Sequence, residues 1–543
     1  MIRRLFATKF NTIASAAIII AGAGLISRFL GVIRDRVLAS EFGAGDGLDI
    51  YFAAFRVPDL VYNFIVLGAI SAGFIPIFVS LLKKDNGHKY KDNQMSWDLV
   101  NNLVNVLVIF LIFVGVILVI FADKLVPLIT PGFSGEKLQF TINLTRIMFF
   151  SPLLLGISSI LGGVLQAQKR FLAYALAPIM YNLGIIVGAL FFVDIWGLYG
   201  LAYGVIMGAL LHLLIQLPVV LKLGYRYKLI LNLKEANFIK ILKMTGPRIL
   251  GIASTQLNLI VITIFASFLT AGSLTIFNLA NNLQSFPLGI FGISFAIAAF
   301  PVLSKSFADS NDKDFNLTLL KTFKQIMFFI VPFSVWFVIL RMQIVRIILG
   351  SGNFDWQDTI LTGNTLGIFC LSLFAQALIP LLARAFYSRH NTMIPFLASF
   401  FSVFANIAIT FWAVKYFDVL GLAIGFSASA IINFIFLIVF LKIEIKTINY
   451  HSILSSLLKI SIAALISGGV TQLVKTYLGE FVDMQKFWGV FIQGSISGCV
   501  GLFVFTWVCH VLKVEELKQF LTGFKKRFLR KVKVQDESIR EIG

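Results

Sequence analysis

Long apolar runs broken by short polar turns follow one another from one end of the chain to the other. At 1.5 Å of rise per residue, a run of about twenty residues makes a helix that crosses roughly 30 Å of hydrocarbon. The pattern predicts fourteen such helices, over 12–39, 49–82, 98–121, 139–167, 172–193, 198–221, 240–270, 273–304, 317–340, 358–386, 393–415, 420–441, 452–476 and 487–512. The turns are too short to hold a soluble catalytic domain. The longest connection, from Leu221 to Lys243, spaces Ile and Leu among Lys at near-helical intervals. It predicts an amphipathic helix lying on a leaflet.

The pattern repeats internally. Gly200-Leu-Ala-Tyr-Gly204 opens the sixth run and Gly421-Leu-Ala-Ile-Gly425 the twelfth, each after a turn containing an aspartate, Asp194 or Asp418. Arg170 with Pro178 is echoed by Arg389 with Pro395, and Pro76 in FIPIF by Pro301 in AFPVL. Shared offsets predict two six-helix lobes entered from the same side and related by a pseudo-two-fold, with a site between them. The expected divisions are an N-terminal lobe 1–222, an amphipathic linker 223–239, a C-terminal lobe 240–442, two appended helices within 443–512, and a basic tail 513–543. In the tail, Leu517, Phe520, Leu521, Phe524 and Phe528 share a face, and the intervening Lys and Arg suit anionic lipid.

Composition agrees with the pattern. Of 543 residues, 58% are hydrophobic and 13% charged, with a mean hydropathy of +0.90, which places the chain among polytopic membrane proteins and excludes soluble enzyme classes. The net charge of +20 would suggest nucleic acid on a soluble domain. Here alternate turns carry roughly 33 of the 46 Lys and Arg and the other turns about 7, so the charge reports topology, with both termini cytoplasmic and no nucleic-acid partner. Cys370, Cys499 and Cys509 fall in apolar runs without metal-ligand spacing and read as small buried hydrophobes. No Walker motif and no catalytic constellation is present, so no enzyme activity and no cofactor is expected.

The remaining cations, Arg28, Arg34, Arg36, Arg56, Arg146 and Arg248, lie within or at the ends of predicted spans. A charge at the centre of a bilayer costs at least ~2.5–3.5 kcal/mol, so each needs a partner or a function. Arg28 and Asp35 are seven residues apart and share a helix face with the small residues Gly24, Ser27 and Gly31. Arginine presents a permanently charged fork to phosphate oxygens, so a cluster of this kind points to a phosphate or pyrophosphate ligand. The alternatives are an interfacial anchor for Arg36, a cytoplasmic-end snorkel for Arg248 and a structural role for Arg146. Arg56 precedes Pro58, which bends the second span. His212 reads as a hydrogen-bonded packing residue. The amides of the seventh and eighth spans, Asn258 and Asn282 among them, either line a route for sugar or tie helices together.

At these residues the chain resembles the MurJ (MviN) family of lipid II flippases, in the multidrug/oligosaccharidyl-lipid/polysaccharide exporter superfamily. The resemblance is carried by Ser27-Arg28-Phe29-Leu30-Gly31, Arg34-Asp35, Phe42-Gly43-Ala44-Gly45, Asp49 with AAFRVP, TIFASFL from Thr263, FPLGIFGIS from Phe286, PVLSKSF from Pro301 and AFYSR from Ala385. It implies an all-α integral membrane protein with a V-shaped pair of lobes around a cationic cavity. It also implies alternating access for a lipid-linked pyrophosphoryl oligosaccharide, in the bacterial cytoplasmic (inner) membrane. On this resemblance Arg28, Arg34, Arg56, Arg248 and Asn282 are substrate-binding candidates, with Asp35 and Asp49 as gate or charge partners. Where the family commonly has arginines this chain has Tyr62 and Asn282, and Arg56 and Arg248 are the candidates to replace them. Some members carry a sodium site on carboxylates of the seventh and eleventh spans. The matching segments from Asn258 and Ala405 contain none, so coupling to sodium or to the membrane potential finds no support there. The expected unit is a monomer that moves lipid II outward. A flippase for another undecaprenyl-linked glycan is the nearest alternative, and a cation-coupled drug exporter a more distant one.

Overall fold

The structure is a computed structural model that describes residues 13–67, 73–84, 94–445 and 450–522, and the side chains of these except 13–21, 65–67, 83–84, 246–254 and 450–452. The predicted spans appear as helices: α1 Ile13–Phe42, α2 Asp46–Val61, which continues through a π-helical stretch Tyr62–Leu67 and resumes over Ile75–Lys84, and α3 Gln94–Ile120. Then come α4 Gly135–Ala167, α5 Phe171–Trp196, α6 Tyr199–Lys222, α7 Ala236–Ser267 and α8 Ser273–Ala308. The series ends with α9 Asp312–Ile348, α10 Trp356–Ser388, α11 Met393–Phe417, α12 Val419–Glu444, α13 Tyr450–Gly479 and α14 Phe487–Val511. Among the described residues, eleven helices are long and apolar enough to cross a membrane, and α1, α2 and α7 complete the predicted fourteen. The fold is all-helical, and its apolar exterior fits lipid as solvent: α3 leaves Ile109, Phe110, Ile112, Phe113 and Val116 exposed. Cys370 and Cys509 are buried as expected, whereas Cys499 is exposed on α14, whose outer surface is apolar too.

The chain divides into two compact units. One holds 1–282, 348–362 and 403–426, and the other 283–347, 363–402 and 427–543. The first unit therefore takes in all of α1–α6 together with α7, the start of α8, the start of α10, most of α11 and the start of α12.

Glycine fixes two of its helix pairs. Gly200, Gly204 and Gly208 fall four residues apart on α6 and lie against Gly184 and Gly188 of α5, so the two backbones touch. The echo in the second half behaves alike: Gly421 and Gly425 lie against Val414 and Thr410 of α11. Proline acts in parallel as well. The π-helical stretch Tyr62–Leu67 begins four residues after Pro58, and Leu288–Ile293 follows Pro287 of α8, while a further one, Gly188–Phe192 in α5, has no proline beside it.

One expectation fails. Residues 225–232, in the middle of the connection between α6 and α7, are extended rather than helical. The reason is a ladder of three buried asparagines on α3. Asn101 donates to Arg226 O (3.0 Å) and accepts from Lys228 N (3.1 Å). Asn105 donates to Lys228 O (2.8 Å) and Ile230 O (3.1 Å), and Asn102 exchanges both bonds with the backbone of Asn232 (2.9 and 2.8 Å). Side-chain amides take the place of a neighbouring strand, so the backbone groups are satisfied without a helix. In the tail, Leu517 is buried and Phe520 packs on Phe329 at 5.5 Å between ring centroids, while the basic stretch from Phe524 onward lies outside the described residues.

Adding one methyl group at Gly204 would place it 2.6 Å from Gly188 Cα. Gly204→Ala is expected to destabilise the protein by about 1–3 kcal/mol, as overpacking does. Thermal unfolding in detergent tests this, with Gly115→Ala as the control, since nothing lies within 4 Å of that site.

Candidate functional site

At the end of the first unit that carries the turn between α1 and α2, elements of the first half close on elements of the second. The turn itself is pinned. Ala44 N donates to Asp358 Oδ2 (3.0 Å), Asn353 N to Ser40 O (2.8 Å), and the Asn353 amide to Glu41 O (2.6 Å). Arg36 donates to Ile348 O (3.2 Å), the last carbonyl of α9, where a cation is favoured by the helix dipole. The anchor proposed for Arg36 is thus a helix end.

Beneath the turn sits Asp49, 1% exposed. Its Oδ2 accepts from Gly272 N (2.8 Å) and from Lys137 Nζ (3.2 Å); its Oδ1 accepts from Thr275 N (2.9 Å) and Thr275 Oγ1 (2.8 Å). Gly272 and Thr275 are donors at the start of α8, where backbone N–H groups have no partner within their own helix. A carboxylate from α2 therefore caps a helix of the other half and meets the positive end of its dipole. The chain can pass there only with glycine at 272: φ is +89°, and a Cβ would collide with Ala44 O.

One turn further along α8 is Asn278. Its Oδ1 accepts from Arg56 (2.8 Å), whose Nε donates to Thr263 Oγ1 on α7 (2.8 Å). Arg56 is 8% exposed, so a permanent cation is buried against neutral oxygens. Another turn along is Asn282, which donates to Asp35 Oδ2 (2.9 Å). Asp35 is buried and pairs through Oδ1 with Nε and Nη2 of its neighbour Arg34 (3.0 and 2.8 Å), and Arg34 Nη1 reaches Asn182 Oδ1 on α5 (3.1 Å). Thr275, Asn278 and Asn282 stand at i, i+3 and i+7 and so share one face of α8. That face meets Asp49, Arg56 and Asp35 in turn.

The structure therefore joins Asp35, Asp49, Arg34, Arg56 and Asn282 in one polar seam. Arg28 lies exposed on α1, one face-repeat away from Asp35. The Arg248 side chain lies outside the described residues. Arg146 is structural: it donates to Val119 O (3.2 Å) and pairs with Asp123. His212 accepts or donates at Nδ1 with Ser158 Oγ (2.7 Å) beside Gln216, as a packing residue does. Several amides tie helices, Asn406 to Asn258 (3.0 Å) and Gln376 to Gln284 (3.0 Å). Tyr62 meets Ser159 Oγ at 3.3 Å.

Sequence reasoning missed Lys137, Thr263, Thr275, Asn182 and Asp358. Lys137 carried a signal, being one of the few cations on the sparsely charged set of turns. Thr275 carried one too, three positions before Asn278 and seven before Asn282, on the same face of α8. Asn182 and Asp358 had none.

This fold is that of the exporter-type transporters that include multidrug resistance MATE proteins. The chain aligns with an inward-facing MATE family transporter of the MOP superfamily at TM-score 0.65 and 15% identity, over 78% of this chain and 96% of that one. It belongs, more narrowly, to the MurJ family, whose model, described as lipid II flippase MurJ, matches residues 38–492. Among its relatives, a probable lipid II flippase MurJ of Buchnera aphidicola subsp. Acyrthosiphon pisum is 30% identical over 76% of this chain and 80% of that protein. One of Rickettsia prowazekii is 26% identical over 93% of this chain and 98% of its own length. A solved lipid II flippase MurJ in an inward closed conformation shares the fold at TM-score 0.74 and 24% identity, over 91% of this chain and 99% of that one.

Asp49→Ala would leave two helix-start donors and a hydroxyl without their acceptor, and Lys137 with Asp46 alone. Removing one partner of a buried charge pair costs about 3–5 kcal/mol, so exchange of the Gly272 and Thr275 amides should accelerate by roughly 100-fold or more. Hydrogen exchange read by mass spectrometry over the peptide at 270–276 checks this, and Asp46→Ala, at an exposed acid beside the same lysine, should leave it unchanged.

Proposed function

We propose that this chain carries lipid II, the lipid-linked pyrophosphoryl precursor of peptidoglycan, from the cytoplasmic to the outer leaflet of the bacterial inner membrane by alternating access. No bond is made or broken in the cargo, both termini are cytoplasmic, and the working unit is a monomer. The polar seam on α8 is then the outer gate, closed in this conformation.

One observation carries the mechanism: the seam separates its charges by half. The ion pairs Arg34–Asp35 and Lys137–Asp49 lie within the first half, while the bonds from Asp35, Asp49 and Arg56 to the second half end on amides, hydroxyls and backbone N–H groups. Opening therefore breaks hydrogen bonds that involve one charged partner each, of about 1.5–3 kcal/mol, and pulls no opposite charges apart. A gate of this kind closes firmly and still opens. When Asn278 and Asn282 withdraw, Arg56 loses one of its two acceptors and Asp35 loses the donor on its Oδ2. Arg34 and Arg56 then face the space that opens, with Arg28 on the same helix as Arg34. A pyrophosphate supplies the oxygens that the amide and hydroxyl groups gave up, so anion binding and gate opening favour each other. Asn282, in place of the arginine common in the family, lets Asp35 be held by a neutral group. Arg248, twelve residues into α7, would add a further cation along the path.

Supplied to a bacterium depleted of its own flippase, this gene should restore lipid II accessible at the cell surface. An Arg34→Ala/Arg56→Ala variant, made and inserted at normal levels, should lower that signal at least ~10-fold, the loss of roughly 1.4 kcal/mol or more of binding. Absence of surface lipid II with the unaltered protein in the membrane would refute the proposed cargo.

A further inference from the structure

The connection between α6 and α7 has a feature that gate and cargo do not use. Its extended backbone is held along one edge by Asn101, Asn102 and Asn105 through residues 226, 228, 230 and 232. In an extended chain alternate side chains point to opposite sides. Tyr227, Leu229 and Leu231 accordingly fall on one side, 64%, 74% and 53% exposed, and Leu233, in the turn that follows, is 64% exposed. Four large apolar side chains exposed within seven residues, on a backbone held by buried asparagines, are unusual on a surface that faces water.

Chain continuity says what covers them. The segment leaves α6 at Lys222 and enters α7 at Ala236, so both of its ends are fixed to helices that cross the membrane. Bonded to Asn101, Asn102 and Asn105, it stays alongside the first half of α3, itself a membrane-crossing helix. Exposed cations accompany the row: Lys222, Arg226, Lys228, Lys234 and Lys240. Lys228 is partly engaged by Asp98 at 3.4 Å. Apolar side chains beside cations at this depth match a lipid–water interface with anionic headgroups, where leucine and tyrosine enter the acyl boundary and lysine stays with phosphate.

We propose that residues 225–234 form an extended interfacial strap. It inserts Tyr227, Leu229, Leu231 and Leu233 into an anionic leaflet and, through the asparagine ladder, ties the end of α3 to that leaflet. A helix would spread the same residues around its circumference; the ladder sets Tyr227, Leu229 and Leu231 on one side. The strap holds the joint between the two halves of the chain at a fixed depth while the helices on either side move.

The test uses the full chain in vesicles, with Cys370, Cys499 and Cys509 replaced by alanine and nitroxide labels placed singly through Lys228→Cys, Leu229→Cys, Ile230→Cys and Leu231→Cys. Collision with oxygen and with a water-soluble nickel complex reports depth. In vesicles containing phosphatidylglycerol, labels at 229 and 231 should be reached by oxygen and shielded from nickel by at least several-fold relative to 228, and the label at 230 should be shielded from both. In phosphatidylcholine alone the labels at 229 and 231 should become more accessible to nickel. Asn101→Ala/Asn105→Ala should erase the alternation while the helices persist by circular dichroism. Equal nickel access at 228, 229 and 231 would overturn the strap and leave the row to water or to a protein partner. Equal depth in the two lipids would overturn the part assigned to the cations.

Discussion

The closed end of this protein depends on a carboxylate with almost no exposure to solvent. Asp49 accepts hydrogen bonds from Lys137, from two backbone N–H groups and from a hydroxyl, and three of those four donors belong to the start of α8. A helix start offers unpaired N–H groups and the positive end of a dipole, so the buried charge and the buried helix end satisfy each other. Neither could be left there alone. Because Asp49 fixes where α8 begins, it also fixes the register of everything below it on that helix: Asn278 arrives at Arg56 and Asn282 at Asp35.

The division of labour follows from the solvent. In lipid, an unpaired charge or backbone group costs several kcal/mol, so each must find a partner in every state the protein visits. Salt bridges kept within α1–α6 meet that demand for Arg34, Asp35, Asp49 and Lys137 in the open state of the proposed gate. Neutral groups of α7 and α8 add the bonds that hold it shut. Arg56 is the exception, buried against Thr263 and Asn278 with Asp59 one turn away on its own helix, and it is the cation with most to gain from an anionic cargo.

Much of this was legible in the sequence because membrane solvent leaves so few options. Fourteen apolar runs give fourteen helices, and an arginine inside a run must be explained. The glycine echoes were legible too, since a four-residue glycine spacing puts backbone against backbone. The partners were not. Periodicity places Arg56 on a face of α2 but says nothing of which face of which helix receives it, and Asn182 is one amide among many. The connection between α6 and α7 misled for a related reason. Its apolar and basic residues fit a helix when taken alone, and the extended form depends on Asn101, Asn102 and Asn105, which lie more than a hundred residues earlier. Local pattern had no access to that tertiary constraint.

The central claim is that the seam between Asp49, Arg56, Asp35 and α8 must open for transport. A disulfide across its outer rim tests this most directly: Ala44→Cys with Asp358→Cys, whose side chain reaches the Ala44 N–H at 3.0 Å, in a chain without other cysteines. Oxidation should stop the appearance of surface lipid II, and reduction of the same cells should restore it. Unchanged transport with the disulfide fully formed would contradict the account.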